Sequence, residues 1–233
     1  MPVTPVIELA GPAGAGKTAV LRTIAARDPA VRAGVRVDRV RGLPAVFWHT
    51  LALAPAIVDL LFTDARWLWP GLRHLGRLRA LPDAVLRARA TASRAILLDE
   101  GPVFSLTRLA AFQHAAAGNG WLAREWRGAL ERSSRLVDIV VVLDAPNAVL
   151  AGRIRSRRKA HQIKNATDRE IFDFLERYRA AYRETVSRMT ASGRTRVVEL
   201  DAAAPVARLA SDVLTVLDGG SARLTPAGAE RGR

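Results

Sequence analysis

A short apolar run, Val6 to Ala10, passes straight into Gly11-Pro12-Ala13-Gly14-Ala15-Gly16-Lys17-Thr18, and a helical pattern follows from Lys17 to Arg27. Strand, glycine-rich loop and helix in that order, with the G-x-x-x-x-G-K-T spacing, form one supersecondary unit whose loop wraps phosphate groups. Glycines let successive backbone N–H groups converge on phosphate oxygens, and the helix adds the positive end of its dipole. Gly11, Gly14, Ala15 and Gly16 are therefore expected to cradle a nucleotide. Lys17 is expected to reach its terminal phosphates, and the Thr18 hydroxyl to bind Mg²⁺.

Two further stretches fit the same chemistry. The apolar run Ala95 to Leu98 ends in Asp99-Glu100, which puts a carboxylate at a strand end where the Mg²⁺ of a nucleotide needs one. Asp99 is the metal candidate. Glu100 has three readings: it activates water, it accepts a proton from a substrate hydroxyl, or it is a second charge beside the metal. Downstream, Arg153-Ile154-Arg155-Ser156-Arg157-Arg158-Lys159-Ala160-His161-Gln162-Ile163-Lys164 carries six fixed positive charges and no acid. Phosphoryl transfer relies on positioning and on cations around the transferring group, so this run is read as a lid over residues 153–164 rather than as a solvated helix face.

Short apolar runs alternate with longer helical patterns along the rest of the chain. Strands are predicted at Val6 to Ala10, Val35 to Val40, Ala95 to Leu98, Ile139 to Leu143 and Arg196 to Leu200. Helices are predicted at Lys17 to Arg27, at Thr167 to Ala191 with Thr167 as cap, and at Pro205 to Leu217. The implied fold is α/β, a doubly wound five-stranded parallel sheet, with ligands beyond the strand carboxyl ends. The 233 residues fit a single domain over 1–217, followed by a tail at 218–233 too poor in apolar residues to fold.

Composition narrows the class. With no cysteine, disulfides, thiolate metal sites and a cysteine nucleophile are excluded, and the absence fits a cytoplasmic location. No signal peptide is read at the start of the chain, and the apolar stretch Leu43 to Phe62 is read as buried helix because it contains Pro44, His49, Pro55 and Asp59. The net charge is +14, carried almost wholly by arginine, since only three lysines occur (Lys17, Lys159 and Lys164). Scattered arginine reflects composition; clustered arginine suits phosphorylated ligands or, less favoured, nucleic acid.

Taken together, these residues resemble the thymidylate-kinase-like branch of the P-loop nucleoside and nucleotide kinases over most of residues 5 to 217. The phosphate loop, Leu60-Leu61-Phe62-Thr63-Asp64-Ala65-Arg66, Asp99, Leu143-Asp144-Ala145-Pro146 and the Arg153 to Arg158 run fall in that family's order. The resemblance implies ATP and Mg²⁺ as cofactors. It also implies that Phe62 stacks on the acceptor, that Arg66 hydrogen-bonds to it, that Arg153 flanks the donor adenine near Asp201, and that Arg157 or Arg158 reaches the phosphates.

Two departures fall on the acceptor side. The family's Asp-Arg-Tyr type sequence is replaced by Asp99-Glu100-Gly101-Pro102, an acid where a cation faces the acceptor phosphate. Its Arg-Glu-Pro-Gly turn is replaced by Asp38-Arg39-Val40-Arg41-Gly42-Leu43-Pro44. An acceptor without a phosphate is then admissible, with Asp38 or Glu100 taking the hydroxyl proton. Residues 43–94 are the specificity segment, rich in tryptophan and arginine; Arg41 and Trp48 join Phe62 and Arg66 as acceptor-side candidates. The expected activity is ATP-dependent phosphoryl transfer to a small acceptor, a nucleoside or nucleotide, with a homodimer left open. The alternatives are a P-loop ATPase or switch in which Glu100 orients water, and a kinase of a non-nucleotide alcohol.

Overall fold

A computed structural model describes residues 4–37, 68–113, 121–157, 163–191 and 193–219. Five strands form a single sheet: β1 (Val6–Ala10), β2 (Val31–Val35), β3 (Ala95–Leu98), β4 (Ile139–Asp144) and β5 (Arg196–Asp201). Their order is β2-β3-β1-β4-β5 and every pairing is parallel. Among the described residues seven helices flank it: α1 (Lys17–Arg27), α2 (Leu68–Arg89), α3 (Pro102–Gln113), α4 (Trp121–Leu136), α5 (Asn147–Ser156), α6 (Asp168–Thr190) and α7 (Val206–Leu217).

The expected doubly wound sheet is present, and the reason lies in two-sided burial. β1 is buried at all five positions and β3 at all four, as the central strands of a sheet covered on both faces must be. Val6 and Ala10 join one core with α2, α3, α4 and the second half of α6, including Leu75, Leu106, Trp126 and Tyr182. Ile7 and Leu9 join the other with α1, α5, α7 and the first half of α6, including Ile24, Ile154, Leu175 and Val213. Trp126 is fully buried and its indole N–H donates to the Leu106 carbonyl at 3.0 Å, which satisfies its one polar atom.

Four strands lie where the sequence put them, to within a residue. The second does not. It spans Val31–Val35 where Val35 to Val40 was expected, and it stops before Arg36 and Val37, while residues 38–40 lie outside the described residues; Gly34 sits inside it at φ +76°, where the pairing with β3 shifts between Ala33 and Val35. A glycine that reads as a strand breaker is here a bulge residue within the strand. Just past α7, Asp218 is ion-paired with Arg94 at 2.5 Å.

The chain leaves β1 towards β2 on one side and enters β4 on the other, so the direction of winding changes at β1, between its neighbours β3 and β4. A crevice opens at the carboxyl ends of the strands at such a switch point. The loop Gly11 to Gly16 and the turn Asp99-Glu100 both lie at that edge.

The start of α6 shows how local sequence fixes an element. Thr167 accepts the Glu170 N–H and the Glu170 carboxylate accepts the Thr167 N–H, a complete capping box. We expect Thr167→Ala to lower stability by about 1 kcal/mol and the melting temperature by roughly 3 °C, as read by calorimetric melting. An unchanged melting temperature would show that the box does not hold the helix.

Candidate active site at the carboxyl edge of the sheet

The glycine loop is fixed by close approach. A Cβ built on Gly11 would lie 2.0 Å from the Leu143 carbonyl oxygen of β4, and one on Gly14 would lie 2.8 Å from the Leu150 carbonyl oxygen of α5. Gly16 has open space around it but adopts φ +83° as the residue preceding α1, a left-handed conformation that costs other residues more. The helix therefore starts without a side-chain cap, and its positive end faces the loop.

Lys17 folds back over this loop. Its ammonium donates to the carbonyls of Gly11 at 2.6 Å and Pro12 at 2.9 Å. Burial pushes its pKa down to about 8, and the nearby Arg157 charge works in the same direction; Asp99, Glu100 and Glu8 oppose it. The charges of Asp99 and Arg157 are thus both felt at Lys17. Thr18, next in the chain, is exposed.

Asp99 follows β3 directly, and its N–H donates to the Val35 carbonyl at 2.9 Å. Burial raises its carboxyl pKa and Glu100 adds to the rise, while Lys17, Arg36 and Arg77 pull it down. Thr18 Oγ1 and the Asp99 carboxylate are both hard oxygen donors, and two of them suit an Mg²⁺ ion that takes its other ligands from phosphate and water. Glu100 is exposed, adopts φ +57°, and is ion-paired to Arg77 of α2 at 2.7 Å. Glu100 thus has a cation laid against it.

Glu8 was not among the sequence candidates. It lies in β1, fully buried, and its two carboxylate oxygens accept the backbone N–H groups of Val103 at 2.8 Å and Phe104 at 2.9 Å, in the first turn of α3. Burial pushes its pKa up to about 7 against the pull of those two bonds and of Lys17. The signal was present in Val6-Ile7-Glu8-Leu9-Ala10: one acid within a strand buried on both faces must find a partner. His74 was also missed. It is buried, stands edge-on to Phe104 at 5.6 Å, and places Nδ1 3.5 Å from Ser105 Oγ. Burial, with Arg108, Arg77 and Arg73 nearby, pushes its pKa down to about 3 and keeps it neutral.

The arginine run begins on a helix. Arg153 lies on α5 and donates to the Ala202 carbonyl at 2.7 Å, just past β5 and Asp201. Arg155 pairs with Asp168 at 2.6 Å, and Arg157 ends the helix, exposed, with its carbonyl accepting the Lys164 ammonium at 2.5 Å. Asp144, at the end of β4, takes both its oxygens to Arg179 of α6 at 2.7 and 2.9 Å. Asp38, Arg41, Trp48, Phe62, Arg66 and Arg158 lie outside the described residues, as do residues 43–67 of the specificity segment. No helix among the described residues is long and apolar enough to cross a membrane.

No protein-family model matches the chain, and no curated protein matches it by sequence. Solved structures do match by shape. A deoxyadenosine kinase from M. mycoides with bound dCTP superposes with a TM-score of 0.54 at 13% identity, covering 92% of this chain and 99% of that one. A second structure of that kinase, with the products dCMP and a flexible dCDP bound, gives 0.52 at 14% identity over the same shares of the two chains. The chain shares the fold of these structures, a five-stranded parallel sheet flanked by helices.

A lysine with a lowered pKa carries its charge below about pH 8 and loses it above, and a bound triphosphate needs that charge. We expect the dissociation constant for ATP to rise by about twofold from pH 7 to 8 and then, above the pKa, to approach a rise of about tenfold per pH unit, followed by calorimetry in the presence of Mg²⁺. Lys17→Met should bind weakly with no such rise; a wild-type profile flat to pH 9.5 would show a lysine of ordinary basicity.

Proposed function

We propose that the chain is an ATP-dependent phosphotransferase that moves the γ-phosphoryl group to a small acceptor, a nucleoside or a nucleotide. One observation carries this reading: the glycine loop, Lys17 and Asp99 converge at the carboxyl edge of β1 and β3, within electrostatic reach of each other. The likeness of the fold to a deoxyadenosine kinase supports it and favours a nucleoside-type acceptor over a non-nucleotide alcohol.

In this reading the loop N–H groups hold the β- and γ-phosphates, and Lys17 exchanges its two carbonyl partners for phosphate oxygens. Thr18 and Asp99 would hold Mg²⁺, which when bound neutralises charge on the phosphates. Arg157 and Arg158 supply further cations from the lid at 153–164, and Arg153 lines the adenine side next to Ala202. The Arg77 partner of Glu100 supports giving the acceptor hydroxyl proton to Asp38 and weighs against Glu100 as the activator of water. The same ion pair removes the repulsion that an unpaired acid would exert on a phosphorylated acceptor, so nucleotides stand beside nucleosides as candidates.

The test is a panel of nucleosides, nucleotides, sugars and other alcohols incubated with γ-labelled ATP and Mg²⁺, scored for labelled product. A nucleoside or nucleotide should be labelled, and Lys17→Ala and Asp99→Asn should each lower kcat by roughly a hundredfold or more. Hydrolysis of ATP at the same rate with and without every acceptor would replace this proposal with an ATPase.

A further inference from the structure

Glu8 is a buried acid that the proposed chemistry does not use. It lies in the middle of the central strand, beside Leu98 of β3 in the pairing register, and Leu98 is the residue before Asp99. The chain that leaves Leu98 passes through Asp99, left-handed Glu100 and Gly101, then turns back over the sheet into α3, where Val103 and Phe104 direct their N–H groups onto the Glu8 carboxylate. A Cβ on Gly101 would come within 2.7 Å of the Glu8 carboxyl carbon, so the turn rests against the carboxylate with no room for a side chain between them. The turn is therefore held in front by the strand and by the Asp99 N–H on Val35, and behind by Glu8. A non-glycine residue at positive φ persists only where its surroundings over-determine it, and this double hold surrounds Glu100.

We propose that Glu8 is a positioning residue for the Asp99-Glu100 turn: by clamping the first N–H groups of α3 it sets where the Asp99 carboxylate stands relative to the phosphate loop. The inference rests on the reading of Asp99 as an Mg²⁺ ligand. Glu8 itself touches neither nucleotide nor metal. Its effect passes chiefly through the backbone of 99–104: among the charges felt at Lys17 that of Glu8 is the weakest, and the glycine loop, which is fixed by Leu143 and Leu150, is left unchanged.

Glu8→Gln keeps the side chain's size and one accepting oxygen, but sets an NH₂ group against the second backbone N–H; Glu8→Ala removes both acceptors. For each variant that melts cooperatively, ATP affinity is measured by calorimetry with Mg²⁺ and again with EDTA. Amide hydrogen exchange is followed across residues 98–106 and across α1. Metal-free affinity should stay within about twofold of wild type, while the gain in affinity on adding Mg²⁺ should fall by about tenfold in Glu8→Gln and further in Glu8→Ala. Exchange should quicken at Val103 and Phe104 and not in α1. A variant whose Mg²⁺ gain is intact, or which loses metal-free and Mg²⁺-dependent affinity equally, overturns the proposal. If the wild type gains nothing from Mg²⁺, the proposed function fails instead, and unchanged exchange at Val103 and Phe104 in Glu8→Gln then overturns the clamp on its own.

Discussion

The Leu143 carbonyl occupies the place where any side chain on Gly11 would begin, and much of the site follows from that contact. Because only a hydrogen fits, the chain leaving β1 runs hard against β4 before it turns, and three residues later it meets the same restriction against α5 at Gly14. A loop held on two sides has little freedom in where its N–H groups aim. It curls enough to bring Lys17 back onto the carbonyls of Gly11 and Pro12, so in the absence of phosphate the ammonium already has partners among the loop's own oxygens.

Desolvation binds the charged residues of the site into a set. Lys17, Glu8 and Asp99 are each shifted chiefly by burial towards the uncharged form, and each is pulled back by charges of opposite sign among its neighbours. The carboxylates stabilise the ammonium and the ammonium stabilises them, so removing one leaves the others less well compensated in a poorly solvated place. Charges held in so poorly solvated a place cost the fold some stability, which is the arrangement expected where function rather than folding sets the residues.

What could be read from the sequence divides by distance along the chain. The glycine loop, the acid after β3 and the capping box at Thr167 are local patterns, and each sits where the sequence placed it. β2 was displaced because a glycine in a bulge and a glycine in a turn look alike until the pairing partner is known. Long-range partners were not legible. Val103 lies 95 residues from Glu8, His74 is 31 from Ser105, and Asp144 is 35 from Arg179. No periodicity or spacing encodes those contacts; they arise only once the sheet order sets α3 over β1 and α6 against the end of β4.

The same reasoning sorts the arginines that composition left undivided. Arg179, buried, holds Asp144, the Ala145 carbonyl, Asn147 and Glu176, and so ties α6 to the start of α5. Arg153 ties the far half of α5 to the loop after β5, and Arg155 ties it to Asp168. α5 is thus anchored to α6 at two points and to the loop after β5, and its arginines up to 155 have packing or pairing roles to fill. Arg157 differs: it comes at the point where the helix stops, is exposed, and its charge is felt at Lys17. A cation at the end of a firmly anchored helix can be delivered to the phosphate loop with little loss of conformational freedom, whereas the same cation on an untethered loop would have to be ordered anew on each binding event. The arginines that anchor α5 and Arg157, whose charge is felt at Lys17, are therefore set apart by their partners, although a run of positive charge in the sequence gives them all the same appearance.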